Sequence, residues 1–157
     1  MKEKIAILKS EMDRDHRRLN TIFDKFEKSY REFLSLDEYS KLVESAFYVN
    51  QMYSAFENMF KNIARTFENN IEQDYWHKSL LERIGLDIQG IRPALISEES
   101  FQCLNELRAF RHFFHHAYGV DIDKEKFRIV AEEASRIRRL FSEEIKRFFL
   151  FLDKLME

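Results

Sequence analysis

Three glycines and one proline in 157 residues constrain this chain more than any other feature. A β-rich fold needs tight turns at short intervals, and such turns are built largely from glycine and proline. Here the only such residues are Gly85, Gly90, Pro93 and Gly119. The chain is therefore expected to be all-α. Its length suits one domain with one core, spanning residues 1–157. Hydrophobic residues make up 45% and charged residues 34%, a globular balance rather than a disordered one. Sixteen phenylalanines predict a core thick with aromatic rings.

Apolar spacing divides the chain into helices. Ile5, Leu8, Met12, Leu19, Ile22, Phe26 and Phe33 recur every three or four residues from about Lys2 to Phe33, with Asp15 breaking the stripe. Ser35-Leu36-Asp37 looks like a stop and restart, with Asp37 as N-cap of a second helix from Glu38 to Asn69. A short helix follows, from about Asp74 to Ile84, ended by Gly85. Leu86 to Ile96 is the one real loop. Ser97 caps a fourth helix from Glu98 to about Ala117, closed by Gly119; Asp123 caps a last helix that starts at Lys124. Four long helices with short connections favour antiparallel neighbours, hence a four-helix up-and-down bundle with one extra short helix.

The lone cysteine, Cys103, leaves no intrachain disulfide, which fits a reducing compartment. No apolar run reaches the roughly 18 residues of a membrane span, and Met1-Lys2-Glu3-Lys4 leads into an amphipathic helix rather than a signal peptide. A cytoplasmic protein is expected. The net charge of −2 does not announce a nucleic-acid binder. Arginine clusters at Arg14 to Arg18 and Arg136 to Arg139 read first as solvated helix faces, so RNA contact would have to come from a patch on the folded surface.

Residues Arg111-His112-Phe113-Phe114-His115-His116-Ala117-Tyr118-Gly119 hold three of the five histidines. Imidazole both takes and gives a proton near neutral pH, and a guanidinium can hold a phosphate with two hydrogen bonds. On a helical wheel Cys103, Leu107, Phe110, Phe114 and Ala117 form the core-facing line. Arg108, Arg111, His115 and Tyr118 form a second line roughly 100° around the helix, at the edge of the buried zone. Regular geometry puts His115 about 40° and His116 about 140° from Arg111. Glu57 falls on or near the inward face of the second helix, where it can orient Arg111 or a histidine, although an ordinary exposed glutamate is the better reading.

The order R-x4-H-x-Y, read as Arg111, His116 and Tyr118, resembles the signature of HEPN-domain ribonuclease toxins of the HepT type. The long second helix, the Trp76 to Leu81 segment, the Arg92-Pro93 loop and Leu107 to Asp123 extend the likeness. The resemblance implies a HEPN-like helical homodimer that cuts RNA without a metal or other cofactor, paired with a minimal (MNT-type) nucleotidyltransferase antitoxin that attaches AMP to the motif tyrosine. Carried over, it makes Arg111 and His116 catalytic, with Arg108, His112 and His115 as possible supporting groups, and Tyr118 the acceptor of AMP. The family usually has Asn or Asp after the arginine, where this chain has His112. Spacing favours His116 and wheel geometry His115; a distorted helix end or a dimer axis would reconcile them.

Two other readings exist. The stripe can be only the seam of a non-catalytic helical dimer, an interaction or nucleotide-binding module. Asp13 with His16, and Asp74 with His77, place a carboxylate and an imidazole at i, i+3, as carboxylate-bridged di-metal bundles do; ordinary solvated pairs are the better reading, since Asp13 and His16 flank the apolar stripe. Trp76 reads as a packing plug before a base-stacking platform.

Overall fold

A computed structural model of the chain describes residues 1–68 and 76–157, apart from the side chains of 76–78. Its regular elements are helices: α1 (Lys2–Leu36), α2 (Tyr39–Glu68), α3 (Trp76–Ile84), α4 (Glu98–His116) and α5 (Lys124–Met156). No strand forms among the described residues; one isolated bridge joins Ile88 and Arg92 in the loop after α3. Asn69, Asp74 and Tyr75, assigned from the sequence to helix ends, lie outside the described residues.

The long helices close a ring in which α1 touches α2 and α5, and α4 touches the same two from the opposite corner. Helix α3 packs on α2 and α4. This is the expected helical bundle. Lys9 on α1 pairs with Asp153 on α5, and Arg138 on α5 with Asp24 and Glu27 on α1 at 2.7 and 2.9 Å, so these two helices run antiparallel. The aromatic core centres on Phe56, whose ring meets those of Phe23, Phe60 and Phe141 at 5.0–6.1 Å between centroids. Edge-on contacts at such distances add to the burial of the rings.

Helix ends depart from expectation in two places. Asp37 does not start α2; it ends α1, in the left-handed conformation (φ 52°), donating its N–H to the Phe33 carbonyl at 2.8 Å. A short polar side chain tolerates that conformation and stops the helix as a glycine would. Helix α4 ends at His116, and Ala117, not Gly119, closes it with its N–H on the Phe113 carbonyl at 2.7 Å. Gly119 (φ 69°) turns the chain two residues later. Ser97 and Asp123 cap as expected, accepting from Ser100 N at 3.1 Å and Lys126 N at 2.9 Å.

Asp15 does not interrupt the stripe of α1 so much as occupy it. It is buried, held by Asn58 Nδ2 at 3.0 Å and Arg14 at 3.1 Å. A buried carboxylate is tolerable when it is hydrogen-bonded and paired in this way. The N-terminus of α4 is fixed by a second buried carboxylate, Glu144 of α5, which accepts from Ser97 N at 2.7 Å and Ser100 Oγ at 2.5 Å. That clamp sets the rotation of α4 and so determines which of its side chains meet α2.

Candidate active site

Arg111 reaches from α4 onto α2. Its Nη2 donates to Glu57 Oε2 at 3.1 Å and Oε1 at 3.4 Å, and its Nη1 to Ser54 Oγ at 3.2 Å. The guanidinium lies over the Tyr53 ring, 4.9 Å from its centroid. Its side chain is 16% exposed, that of Glu57 only 7%. A planar cation stacked on a ring and met by both oxygens of a carboxylate is held in orientation as well as in place. Burial pushes the Tyr53 phenol up, and the Glu57 charge pushes it further against the opposing pull of Arg111. Lys61, one turn on from Glu57 and 3.8 Å from it, is pulled below its ordinary range, chiefly by burial.

The three histidines sit elsewhere on the same helix end. His116 is the last helical residue, so α4 stays regular through it and carries it about 140° round from Arg111. Its ring stacks on that of His112, 4.3 Å between centroids and 29° between planes. Its Nδ1 lies 2.8 Å from the His112 carbonyl. A carbonyl only accepts, so Nδ1 carries the proton, and in the neutral ring Nε2 keeps its lone pair. His115 is exposed, with its ring edge-on to Phe114 at 6.2 Å. Within one chain the fold directs Arg111 toward α2 and leaves His115 and His116 on the solvent side.

Arg108 turns back onto Asn105 of its own helix, at 2.9 and 3.0 Å. Tyr118 is 98% exposed, beyond the helix, and not at the edge of the buried zone as the wheel suggests. The wheel fails there because Ala117 has already left helical geometry (ψ 102°). His112 does not orient Arg111; Glu57 does that from α2, and His112 serves as the platform for His116. Glu57 is buried and not the ordinary exposed glutamate that the sequence favours, and Tyr53 and Ser54 are site neighbours that the sequence reading leaves unmarked. The signal for them is their spacing: both stand within one turn of Glu57 on α2.

Among the described residues no group of three His, Cys, Asp or Glu side chains could hold a metal ion. Asp13 pairs with Arg17 at 3.5 Å, and His16 lies edge-on to Phe141, its pKa lowered by burial despite Asp13. Asp74 and the side chain of His77 lie outside the described residues. No described helix is long and apolar enough to cross a membrane.

The model of the family described as HepT-like protein matches residues 44–152, which include Glu57, Arg111, His116 and Tyr118. No curated protein and no solved structure matches the chain.

Proposed function

Because this chain belongs to the HepT-like family, we propose that it is a metal-independent endoribonuclease, the toxin of a toxin–antitoxin pair acting in the cytoplasm. The observation that supports this reading is that one helix end carries both an oriented guanidinium and, on a different face, an imidazole whose Nε2 lone pair points away from the helix. RNA brings its own nucleophile. His116 Nε2 takes the proton of the 2′-hydroxyl, the 2′-oxygen bonds to phosphorus, and the bond to the 5′-oxygen breaks. A second histidine, His115 or the His116 of another protomer, protonates the departing 5′-oxygen. A 2′,3′-cyclic phosphate and a free 5′-hydroxyl result. Arg111 steadies the charge that builds on the phosphoryl oxygens.

The protein acts as a homodimer in this reading. Arg111 and His116 lie on different faces of α4, so a scissile phosphate meets the Arg111 of one protomer and the His116 of the next. Exposed Tyr39, Val43 and Phe47, spaced by four along α2, and Phe113 on α4 supply apolar surface for a second copy. Its other partner is a nucleotidyltransferase antitoxin that attaches AMP to Tyr118. The bulk and negative charge of that group would compete with RNA for Arg111.

The test is cleavage of total cellular RNA by the purified chain in excess EDTA, with termini mapped. Cyclic phosphate ends that vanish in both Arg111→Ala and His116→Ala support the reading. Undiminished cutting by a folded double variant sinks it. AMP mass gained by the wild type but not by Tyr118→Phe, on incubation with the neighbouring nucleotidyltransferase and ATP, supports the antitoxin assignment; equal labelling of both refutes it.

The buried Arg111–Glu57 pair also suits a purely architectural clasp between α2 and α4, the role it would have in a non-catalytic dimer. Host toxicity that survives in Arg111→Ala and His116→Ala cells would favour that second reading.

A further inference from the structure

The last turn of α4 carries histidines at i and i+4, His112 and His116. Residues so spaced lie on one face of a helix, one above the other. This is the spacing by which two imidazoles of a single helix bind one zinc ion. Both residues are exposed. Their rings already lie together, 4.3 Å between centroids and 29° between planes.

Three further observations suit a metal. His116 Nδ1 donates to the His112 carbonyl at 2.8 Å, which leaves the lone pair on the outward Nε2. Ligating histidines are commonly held in this way, with one ring nitrogen on a carbonyl and the other on the ion. The His112 ring makes no hydrogen bond among the described residues, so it can turn at the cost of the stack alone. Two imidazoles on a tetrahedral zinc hold their ligating nitrogens about 3.3 Å apart, given bonds of about 2.0–2.1 Å. Rings in the observed stack reach that spacing through their side-chain torsions, without movement of the backbone. Finally, α4 ends at His116, and the partial negative charge of a helix C-terminus favours a cation. His115 takes no part, since its ring lies edge-on to Phe114.

We propose that His112 and His116 form a two-ligand site for a divalent cation of the zinc type, and that filling it silences RNA cleavage. No third His, Cys, Asp or Glu completes the set among the described residues, so water takes the remaining positions. Imidazole suits zinc, nickel and copper, whereas magnesium prefers oxygen ligands and does not compete. The silencing rests on the ribonuclease reading. The ion takes the Nε2 lone pair of His116, the same pair that accepts the proton of the 2′-hydroxyl. A bound ion therefore acts as an inhibitor of this site and not as its cofactor.

Calorimetric titration of the full-length protein with zinc chloride, in buffer free of chelators, tests the site. A single ion should bind per chain, and magnesium chloride should give no heat of binding. Loss of a residue that merely supports a ligand costs about 10–100-fold in metal affinity, so His112→Asn and His116→Asn should each weaken zinc binding by about tenfold or more. His115→Asn should keep the parent affinity. Side-chain proton–nitrogen NMR spectra of the unaltered chain give a check that needs no variant: zinc should shift two of the five imidazoles. Unchanged zinc affinity in folded His112→Asn and His116→Asn overturns the proposal, as does an unaltered chain in which zinc shifts neither ring. Wild-type cleavage should fall over the same range of zinc concentration and return on adding EDTA. Full cleavage by the zinc-loaded chain overturns the proposed control. A chain that binds zinc through the pair yet cuts no RNA in EDTA removes the ribonuclease reading and keeps the site.

Discussion

Arg92 and Arg111 both reach a glutamate on α2, and they are held in opposite ways. The Arg92 side chain is wholly buried. It meets Glu68 at 2.7 Å and the carbonyls of Arg83, Leu86 and Pro93 at 3.0–3.2 Å, gathering the loop after α3 around one cation. Arg111 keeps a sixth of its surface, lies flat on a ring, and touches its carboxylate through bonds of 3.1–3.4 Å. Carbonyl oxygens of a folded loop leave an incoming anion little to displace. A carboxylate at longer range orients a guanidinium while leaving it able to take a phosphate. The first arrangement gathers a loop around a cation; the second fixes the direction of a cation that still meets solvent.

Truncating each arginine tests the contrast most severely. Arg92→Ala strands Glu68 and three carbonyls and should destabilise the chain by roughly 3–5 kcal/mol in urea unfolding. Arg111→Ala should cost about 1–2 kcal/mol, since Lys61 remains beside Glu57. Its RNA cleavage should nevertheless fall by about a hundredfold or more. The contrast breaks if the two variants show the same stability, or if Arg111→Ala cuts RNA normally. Glu57→Gln sharpens it. The variant retains a hydrogen-bonding amide but loses the charge that orients Arg111, so cleavage should drop about tenfold with melting little changed. A smaller effect concerns the ring beneath Arg111. The folded chain holds the Tyr53 phenol protonated well beyond its usual range, whereas an unfolded tyrosine ionises near about pH 10. Above that pH the unfolded state sheds a proton the folded state keeps, so stability falls as pH rises. Tyr53→Phe should lose less stability than the wild type between pH 9 and 11 in parallel urea titrations.

Much of the architecture could be read from spacing alone. Ile5, Leu8, Met12 and Leu19 on α1, and Phe127, Val130, Ala134 and Ile137 on α5, are buried as their three-and-four rhythm requires. Near the end of α5 Leu155 is 39% exposed, because the helix there runs past the core, while Leu152 is buried. Asp37 misled because an aspartate before a helix is the standard N-cap, and only the backbone angle reveals that it ends the helix before. Of the candidate site, Arg111 follows from the wheel, whereas Glu57 reads first as an ordinary exposed glutamate and only packing against α4 shows it buried. The stacking of His116 on His112 does not, because it depends on which rotamers two exposed rings adopt and not on where their Cα atoms stand. The helical line that would carry Tyr118 ends two residues before it, at His116.

Ala117 takes the backbone out of its coil before Tyr118, and no regular structure resumes until Lys124. The phenol therefore rides on a short irregular segment, bent at Gly119 and anchored beyond it by Ile122, whose N–H donates to the Tyr39 hydroxyl at 2.8 Å. In the proposed reading, a nucleotidyltransferase would therefore reach that oxygen without unwinding a helix, and a group fastened there would add nothing to the interior.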